Sequence, residues 1–466
     1  MGERYDVIRA DFTWVDGAMR PGLAVAVSPR TGRIVRVAPP EQLFGPDMGE
    51  EIVFAGRALF PGCVNVHSHA FQVLLRGRAD HAPSFRHWVD EHMYPLVCGL
   101  DDEDLETAML LAFADMLRHG YTAVGEFFYL HNGPDGEPDE VERAALAIET
   151  ARRVGLRVAL VRTLYDQGER PAQRRFREPP ARAIERTRAL AARYADDPFV
   201  RVLPAPHSLH GASGDLIAAG AALAAELGTN MHIHIAEQEH DLALSRERYG
   251  TTPLRALDRL GVVNERLVVV HGCWLEHEEW ELLGARGGGL AYNPLANMFL
   301  GDGVTDLPYA LRAGVRVGLG SDGPGGNNGV DPFAEMRAAD LLQRVTRRRM
   351  GVIDEAARAA PRPLGAVPLF TLATEGSAGL LGFEAGRIAE GWACDLIAVD
   401  YSDLALQPHH GLEMPTLLHN MIHTGSSRSW ITDVVVGGRV VLRDRQLTTV
   451  APEQLRARIA RLERGR

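Results

Sequence analysis

The chain has 466 residues, of which 46% are hydrophobic and 24% are charged, and its formal net charge is −11 at pH 7. This composition is ordinary for a globular protein, and the length allows roughly two to four domains. An acidic chain lacks the dense basic face that a phosphate backbone requires, so a nucleic-acid partner is not expected.

The N-terminus and the cysteines give no sign of secretion or of a membrane. The first residues, MGERYDVIRADF, are charged and lack an apolar core, so we do not expect a signal peptide. No run reaches the roughly 18 apolar residues of a membrane-spanning helix. The four cysteines, Cys63, Cys98, Cys273 and Cys394, are far apart and form no CxxC pair, which is typical of a reducing compartment. We therefore expect a cytoplasmic protein.

The chain contains no lysine, so its 50 basic residues are all arginine. This excludes a Schiff base on the protein, a phosphate-binding loop of the GK[ST] type, and a metal pair bridged by a carboxylated lysine. Codon bias is a sufficient cause of the absence, and the chemical exclusions hold whatever the cause.

The chain begins with β structure. Segments rich in β-branched and aromatic residues are separated by turn signals such as Pro29–Gly32. The predicted strands are Tyr5–Trp14, Leu23–Ser28 and Ile34–Ala38. We assign residues 1–57 to a small β domain.

From Leu59 onward, short apolar runs alternate with segments of helical period. The apolar runs are Cys63–Val66, Thr122–Phe127, Val158–Thr163, Val200–Pro204, Asn230–Ile235, Leu267–His271, Gly289–Tyr292 and Val315–Gly320. The amphipathic segments include Asp102–Arg118, Glu140–Val154, Ala181–Tyr194, Gly214–Leu227 and Pro332–Val345. Near-continuous apolar strands are typical of a parallel sheet covered on both faces. Eight alternations predict an α/β fold, a (β/α)₈ barrel over residues 58–384.

After the barrel the strand pattern returns. Asp395–Asp400 and Trp430–Leu447 are β-rich, and Gly437-Gly438 marks a hairpin turn. We therefore predict that residues 385–450 join residues 1–57 in one composite β domain, followed by a helical tail over 451–466.

The segment FPGCVNVHSHAFQ places His67 and His69 at the carboxyl end of the first barrel strand. Side chains two residues apart on a strand point to the same face, so both imidazoles can bind one metal. An HxH pair is weak support by itself. Its position strengthens the interpretation, because active sites of such barrels lie at the carboxyl ends of the strands.

Four further predicted strands end in residues of the same kinds. The residues at or just beyond these ends are His207, His234, Glu237, His271 and Asp322, and His232 lies two residues before His234 in the same strand. A single histidine of this sort is commonly a core residue. That explanation does not account for five of eight strands presenting such groups at one rim.

Three imidazoles and one carboxylate suit zinc or iron(II). We predict that one divalent metal, zinc with iron(II) as the alternative, is bound by His67, His69, His234 and Asp322. His232 lies on the same strand face as His234 and is a rival ligand, but it is deeper in the strand, where a core or supporting role is expected. The metal would lower the pKa of its bound water to about 7 and so provide hydroxide at neutral pH.

Three residues are predicted to be catalytic. Glu237 lies three residues beyond His234 and can transfer a proton from the water to the leaving group. His271 can hydrogen-bond the water or polarise a substituent on the reacting carbon. Asp322 can accept a proton in addition to binding the metal.

These patterns resemble the amidohydrolase superfamily, and within it the single-metal branch that includes cytosine deaminases and chlorohydrolases. The motifs that carry the resemblance are PGCVNVHSH at 61–69, HIHIAEQ at 232–238, VHG at 270–272, NPLANMFL at 293–300, GSDGPGGNN at 320–328 and AGRIAEGWACDLIAVD at 385–400. The resemblance spans nearly the whole chain. It implies a divalent metal, usually zinc, and hydrolysis at a carbon–nitrogen centre, often deamination.

One set of residues is similar to formimidoylglutamate deiminases. Gln72, Tyr129 and His207 lie in segments whose matching residues face the substrate in that subfamily. His210 stands where the subfamily has an arginine that binds a carboxylate. We therefore do not assign the substrate of the formimidoylglutamate deiminases to this chain.

Another set is similar to adenosylhomocysteine and methylthioadenosine deaminases, through residues 74–80, 248–262 and 321–337. Arg86 stands about where that subfamily has a glutamate that binds ribose, and arginine offers no acceptor. We therefore expect a related but distinct substrate. The predicted substrate-binding residues are Gln72, Arg86, Trp88, Tyr129, His207 and His210.

The predicted function is hydrolytic deamination, through metal-bound hydroxide, of a small molecule at an amidine-like or heteroaromatic C=N carbon. The enzymatic alternatives are a formimidoylglutamate-type iminohydrolase, an adenosine-derivative deaminase and a triazine-type chlorohydrolase or aminohydrolase. A non-enzymatic alternative is an inactive barrel scaffold, against which Glu237, His271 and Asp322 argue. Analogy with the family suggests a homodimer, although no residue indicates one.

Overall fold

The computed structural model describes residues 4–138, 142–357, 366–410, 416–424 and 427–464. The predicted segments 1–57, Glu140–Val154, 385–450 and 451–466 therefore each lie partly outside the described residues. No described helix is both long enough and apolar enough to cross a membrane.

One nine-stranded sheet contains strands from both ends of the chain. Its strands are β1 (Tyr5–Val15), β2 (Ala18–Pro21), β3 (Ala24–Val27), β4 (Ile34–Ala38), β5 (Met48–Pro61), β14 (Leu396–Val399), β15 (Ile431–Val436), β16 (Arg439–Arg443) and β17 (Gln446–Leu447). Their order is β17-β16-β15-β14-β5-β1-β3-β4, and β2 pairs with β1. The two chain ends meet where β5 pairs antiparallel with β14, with Phe60 opposite Ile397.

The sequence patterns did not predict β5, which connects this sheet to the barrel. Burial along its first half is irregular, because Glu50, Glu51 and Val53 are exposed whereas Phe54 is buried. Its last four residues, from Ala58 onward, are all buried. Because the adjacent Glu50 and Glu51 interrupt any regular alternation, local pattern alone does not reveal the strand.

The other eight strands form the predicted (β/α)₈ barrel, so the expected α/β fold class is confirmed. They are β6 (Cys63–Ser68), β7 (Tyr121–Phe128), β8 (Arg157–Leu164), β9 (Val200–Pro206), β10 (Met231–Ile235), β11 (Leu267–His271), β12 (Gly289–Tyr292) and β13 (Arg316–Leu319). They run parallel in two sets of four, β6 to β9 and β10 to β13. A parallel bridge between Ser208 and His234 joins the sets. The ring closes where the backbone nitrogens of Ser321 and Asp322 donate to His67 O.

Helices cover the barrel and flank its loops. In chain order they are α1 (Phe85–His87), α2 (Tyr94–Cys98), α3 (Asp102–Arg118), α4 (Glu142–Val154), α5 (Pro180–Arg193), α6 (Gly214–Leu227), α7 (Glu239–Tyr249), α8 (Pro253–Arg259), α9 (His277–Ala285), α10 (Pro294–Leu300), α11 (Leu307–Arg312), α12 (Pro332–Arg347), α13 (Val352–Ala356), α14 (Ala366–Thr371), α15 (Ser377–Leu381), α16 (Thr416–His423), α17 (Ser427–Trp430) and α18 (Pro452–Arg464). Short 3₁₀ or π turns occupy Pro40–Gln42, Ala70–Leu75, Trp88–Met93, Pro171–Arg175, Leu372–Gly376 and Leu404–Leu406.

The helix α3 shows why the local predictions succeed. Asp101 caps it by accepting from the backbone nitrogen of Asp104 at 2.8 Å. The acidic side chains of the first turn interact favourably with the positive end of the helix dipole. Its apolar side chains, among them Leu105 and Phe113, are buried against the barrel. The cap and the apolar period both lie in the local sequence, and the observed bounds equal the predicted ones.

A buried ion pair joins the barrel to the nine-stranded sheet. Arg157 Nε and Nη2 donate to Asp395 Oδ2 and Oδ1 at 2.6 and 3.1 Å. Gly437 N donates to the same carboxylate at 2.8 Å from the tip of the β15–β16 hairpin. Gly437 and Gly438 have φ of 58° and 79°, and a Cβ on Gly437 would lie 2.4 Å from the Phe199 ring. The hairpin therefore needs glycine for both its turn and its close approach.

Candidate metal centre and active site

Three histidines and one aspartate from opposite sides of the barrel meet at its carboxyl rim. The ligand atoms of His67, His69, His234 and Asp322 all lie within 4.8 Å of one another. Asp322 Oδ1 is 3.1 Å from His67 Nε2 and 3.5 Å from His69 Nε2. His67 Nε2 and His234 Nε2 are 3.3 Å apart. The predicted ligand set is thus brought together as one buried group.

Backbone carbonyls orient two of these imidazoles. His69 Nδ1 donates to Phe127 O and His234 Nδ1 donates to His207 O, each at 2.8 Å. Because a carbonyl can only accept, the proton of each neutral ring is on Nδ1 and a lone pair is on Nε2. The His67 ring is completely buried, and its Nδ1 has no hydrogen-bond partner among the described residues.

The electrostatics of this group suit a cation. Burial lowers the pKa of His67 to about 3 and also lowers the pKa values of His69 and His234, so all three rings are neutral at pH 7. Burial opposes ionisation of Asp322, but a hydrogen bond from His67 and the neighbouring histidines hold its pKa below the usual range. Neutral imidazoles and an ionised carboxylate are the forms that bind a divalent transition metal. The residues present therefore fit a metal.

The strand ends that carry the candidate residues have an unusual backbone. Ala236, His271 and Asp322 have φ of 51°, 70° and 58°, in the left-handed region. Residues other than glycine seldom adopt it, at a cost of about 1–3 kcal/mol each. Gly272 and Gly323, which follow two of them, also have positive φ. Such turns at three strand ends concentrate strain where the candidate site lies.

Glu237 and His271 lie next to the four ligands. His271 Nε2 is 3.7 Å from Glu237 Oε1, and a third residue, Asp302, joins them in a group whose ligand atoms lie within 4.8 Å of one another. Burial, followed by the charges of Asp302 and Asp322, raises the pKa of Glu237 well above its usual value. A carboxyl whose pKa is raised in this way can hold and release a proton near neutral pH.

A small chamber of about 100 Å³ lies above the metal centre. Its apolar and aromatic lining residues are Phe85, Trp88, Val89, Met93, Tyr94, Tyr129, Tyr165, Phe176 and Leu300. Gln72, His207 and His210 also line it, and Gln72 Nε2 donates to Tyr129 Oη at 3.1 Å. Five of the six predicted substrate-binding residues therefore face one chamber.

The sixth, Arg86, lies in a wider cleft of about 710 Å³. This cleft shares Phe85, Val89, Tyr94 and His210 with the chamber, so it forms the approach to it. The Arg86 side chain is 70% exposed, and its Nε lies 3.5 Å from Asp90 Oδ2. Arg86 therefore lies outside the chamber, at the approach to it.

His232, the rival ligand, lies away from the metal centre. Its Nε2 donates to Leu380 O at 3.1 Å, and its ring is fully buried. Because the two residues share a strand face, the sequence made either His232 or His234 a possible metal ligand. The structure distinguishes them by depth, since only His234 lies with the other ligands at the barrel rim.

Several residues at the site were not predicted. The buried residues Asn297 and Asp302 and the half-buried Gln238 form a polar chain beside His271, and Met93 and Phe176 line the chamber. Asn297 lies in the segment NPLANMFL, which carries the family resemblance but indicates no role for Asn297. The sequence signal for Asp302 is that it is a polar residue beyond the end of the seventh barrel strand, β12.

A model of the Amidohydrolase family matches residues 58–441, most of the chain. The chain therefore belongs to the amidohydrolase family, which the fold and the His/Asp site also define. It is 35% identical to the 5-methylthioadenosine/S-adenosylhomocysteine deaminase of Natronomonas pharaonis, over 85% of this chain and 84% of that protein. It is 31% identical to the 5'-deoxyadenosine deaminase of Methanothermobacter thermautotrophicus, over 84% of this chain and 83% of that protein.

Among solved structures, a zinc-bound adenosine deaminase from Xanthomonas campestris has a TM-score of 0.85 and 28% identity, over 99% of this chain and 98% of that one. The predicted family is confirmed, and so is the prediction of a hydrolase acting on carbon–nitrogen bonds, because the relatives are named deaminases.

Proposed function

We propose that this protein binds one zinc ion and hydrolytically deaminates a small heteroaromatic amine of the adenosine-derivative type. The observation that carries the proposal is the convergence of His67, His69, His234 and Asp322 at a chamber that Glu237 also lines. The names of the related deaminases support the substrate class.

The four converging residues would hold the metal. The Nε2 atoms of three neutral imidazoles and one ionised carboxylate match the donor set that zinc accepts in hydrolytic sites. When bound, a zinc ion supplies Lewis-acid chemistry that lowers the pKa of water towards neutrality. The hydrogen bonds of His69 and His234 to backbone carbonyls hold the rings in the required orientation before any metal arrives.

Glu237 is the proton carrier in this proposal. Its raised pKa lets it take a proton from the attacking water and then deliver that proton to the departing nitrogen, so that ammonia leaves. His271, whose Nε2 lies 3.7 Å from Glu237 Oε1, donates a hydrogen bond to the atom on the reacting carbon where negative charge develops. Asp322 is the second proton acceptor near the reacting atoms.

The chamber and the cleft would bind two different parts of the substrate. A chamber of about 100 Å³ with aromatic walls admits the planar end that carries the amine. The cleft of about 710 Å³ accommodates the remaining substituents. Arg86, His210 and Arg248 line the cleft, so polar or anionic substituents suit it.

The test is a substrate panel with two readouts. Ammonia release is measured from adenosine derivatives, guanine, pterin analogues, formimino compounds and aminotriazines, and chloride release from chlorotriazines, on protein of known zinc content. We expect ammonia from one or more adenosine derivatives and a loss of turnover in His69→Ala. Chloride release alone, turnover of formimino compounds alone, or no turnover by the zinc-loaded protein would refute the proposal.

A further inference from the structure

A chain of hydrogen-bonded polar side chains runs from Nδ1 of His271 towards Glu237, and its two middle residues are buried. Asn297 Nδ2 lies 2.9 Å from His271 Nδ1 and 2.9 Å from Asp302 Oδ2. The amide of Gln238, the residue after Glu237, donates to Asp302 Oδ1. Asn297 and Asp302 are each only 1% exposed. One end of this chain is thus the proposed catalytic residue His271. The other end is Gln238, which follows the proposed catalytic residue Glu237 in the sequence.

The chemistry of these groups decides the direction of each hydrogen bond. An ionised carboxylate only accepts, so both oxygens of Asp302 receive amide hydrogens, one from Gln238 and one from Asn297. The second hydrogen on Asn297 Nδ2 then points at His271 Nδ1, which must be the unprotonated ring nitrogen. A neutral His271 therefore carries its proton on Nε2, the atom that lies 3.7 Å from Glu237 Oε1.

The ionised form of Asp302 depends on the adjacent cation. Burial and the charges of Asp322 and Asp241 raise the pKa of Asp302 to about 8 in the absence of a metal. A divalent cation at the neighbouring centre acts in the opposite direction, because it favours anionic groups around it. The tautomer of His271 should therefore be measured on zinc-loaded protein.

Other contacts hold the same arrangement. Trp274 Nε1 donates to Asp302 O at 2.7 Å, and Thr305 Oγ1 donates to His271 O at 2.8 Å. Gln343 Nε2 in turn donates to Thr305 O at 3.0 Å. The loop that carries Asp302 is therefore attached to the end of β11 at both backbone and side-chain positions.

We infer that Asp302 is a positioning residue which, through Asn297, holds His271 with its proton on Nε2, so that His271 donates a hydrogen bond to the reacting atoms. The kinetic consequence rests on the proposed function, whereas the tautomer does not. The same assignment excludes His271 as a ligand of a second metal between Glu237, His271 and Asp302, because its Nε2 carries the proton and its Nδ1 accepts from Asn297.

Two variants separate this role from a merely structural one. In Asp302→Asn, the side chain can no longer accept from both Gln238 and Asn297, so the Asn297 amide can turn its oxygen to His271 and favour the other tautomer. The double variant Asn297→Asp/Asp302→Asn restores the number of hydrogen bonds. Its new amide at position 302 donates to the new carboxylate at position 297, which accepts from Nδ1–H of His271, so the tautomer stays reversed.

The readouts are ¹⁵N NMR of histidine-labelled, zinc-loaded protein, zinc content, Tm, kcat and KM, with His271→Gln identifying the His271 signal. We expect Nε2–H in the wild type and Nδ1–H in both variants, with one zinc ion bound throughout. We expect kcat to fall about 100-fold in both variants, with KM within about threefold, as for other groups that orient a catalytic residue. Tm should fall in Asp302→Asn and recover in the double variant.

Three results would overturn the inference. They are Nδ1–H in wild-type His271, recovery of kcat together with Tm in the double variant, and a second zinc ion that is bound by the wild type and lost in Asp302→Asn. If Asp302→Asn does not fold, the wild-type spectrum and the double variant still decide the matter. A protein with Nε2–H on His271 but no turnover of any substrate would refute the proposed function and leave the assigned tautomer standing.

Discussion

Asp322 is bound to His67 twice. Its backbone nitrogen donates to His67 O at 3.0 Å, and its carboxylate Oδ1 lies 3.1 Å from His67 Nε2. The first of these contacts closes the barrel between its last and first strands, and the second belongs to the candidate metal centre. The same two residues therefore take part both in closing the barrel and in the candidate metal centre, and each contact supports the geometry of the other.

The metal ligands can be tested with a matched pair of histidines on β10. We expect His234→Gln to lose at least about 100-fold in zinc affinity, because it removes one of three imidazole ligands. His232→Gln, two residues away, should keep one zinc ion although it disturbs a buried hydrogen bond to Leu380. Zinc content and the zinc-dependent shift in Tm measure the effect. Equal zinc binding by both variants would contradict the ligand assignment.

Glu237 should be required for turnover and not for zinc binding. Glu237→Gln keeps the shape of the side chain but cannot transfer a proton, so kcat should fall by about 10²–10⁴-fold with zinc content unchanged. Steady-state kinetics on the best substrate of the panel measure this. Glu239→Gln, at an exposed position two residues later, is the control and should behave as the wild type. A Glu237→Gln variant with normal kcat would remove Glu237 from the mechanism.

The Arg157–Asp395 pair should matter for stability. Both side chains are buried, so Asp395→Asn leaves the Arg157 charge without its partner, and we expect a loss of about 3–5 kcal/mol in the free energy of unfolding. Urea unfolding measures it. The comparison is Arg188→Gln, which breaks an ion pair with Glu226 at the protein surface and should change the stability little. Similar losses in the two variants would show that burial of the pair is not the cause.

Stability should also depend on pH through His131. Burial, and then the charge of Arg162, lowers the pKa of this side chain to about 3, whereas in the unfolded chain it is about 6.5. Between these values the unfolded state binds a proton that the folded state does not, so stability falls as the pH decreases from about 6.5 towards 3. His131→Gln removes this contribution.

Urea unfolding of wild type and His131→Gln at pH 7.5 and pH 5 tests the dependence. The wild type should lose more free energy of unfolding between the two pH values than the variant does. His81→Gln, at an exposed position, should retain the wild-type dependence. An equal pH dependence in the wild type and His131→Gln would refute the effect.

Much of the fold could be predicted because its causes are local. The eight apolar runs, the capped helix α3 and the Gly437-Gly438 turn each carry their signal within a few residues, and the structure has an element at each place. The strand β5 has no such signal, because its polar and apolar residues do not alternate regularly. Its pairing partners, Tyr5–Thr13 and Leu396–Val399, are far away in sequence.

The candidate site divides in the same way. Alternation along a strand determined that His67 and His69 share a face, and the strand ends determined which other residues reach the rim. Tertiary structure decided between His232 and His234 as the metal ligand. The alternation of side chains along a strand shows which face a residue lies on, but it does not show how deep in the barrel the residue lies. It also decided that Arg86 lies in the cleft and not in the chamber.

The sequence by itself therefore determined the kind of chemistry, since residue types and their spacing define which atoms can bind a metal or carry a proton. Only the tertiary structure decided which partners tune those atoms. The chain Gln238–Asp302–Asn297–His271 joins side chains as many as 64 positions apart, and no local pattern specifies such a contact. The physical reason is that hydrogen-bond direction depends on which groups meet, and these groups meet only once the barrel has closed.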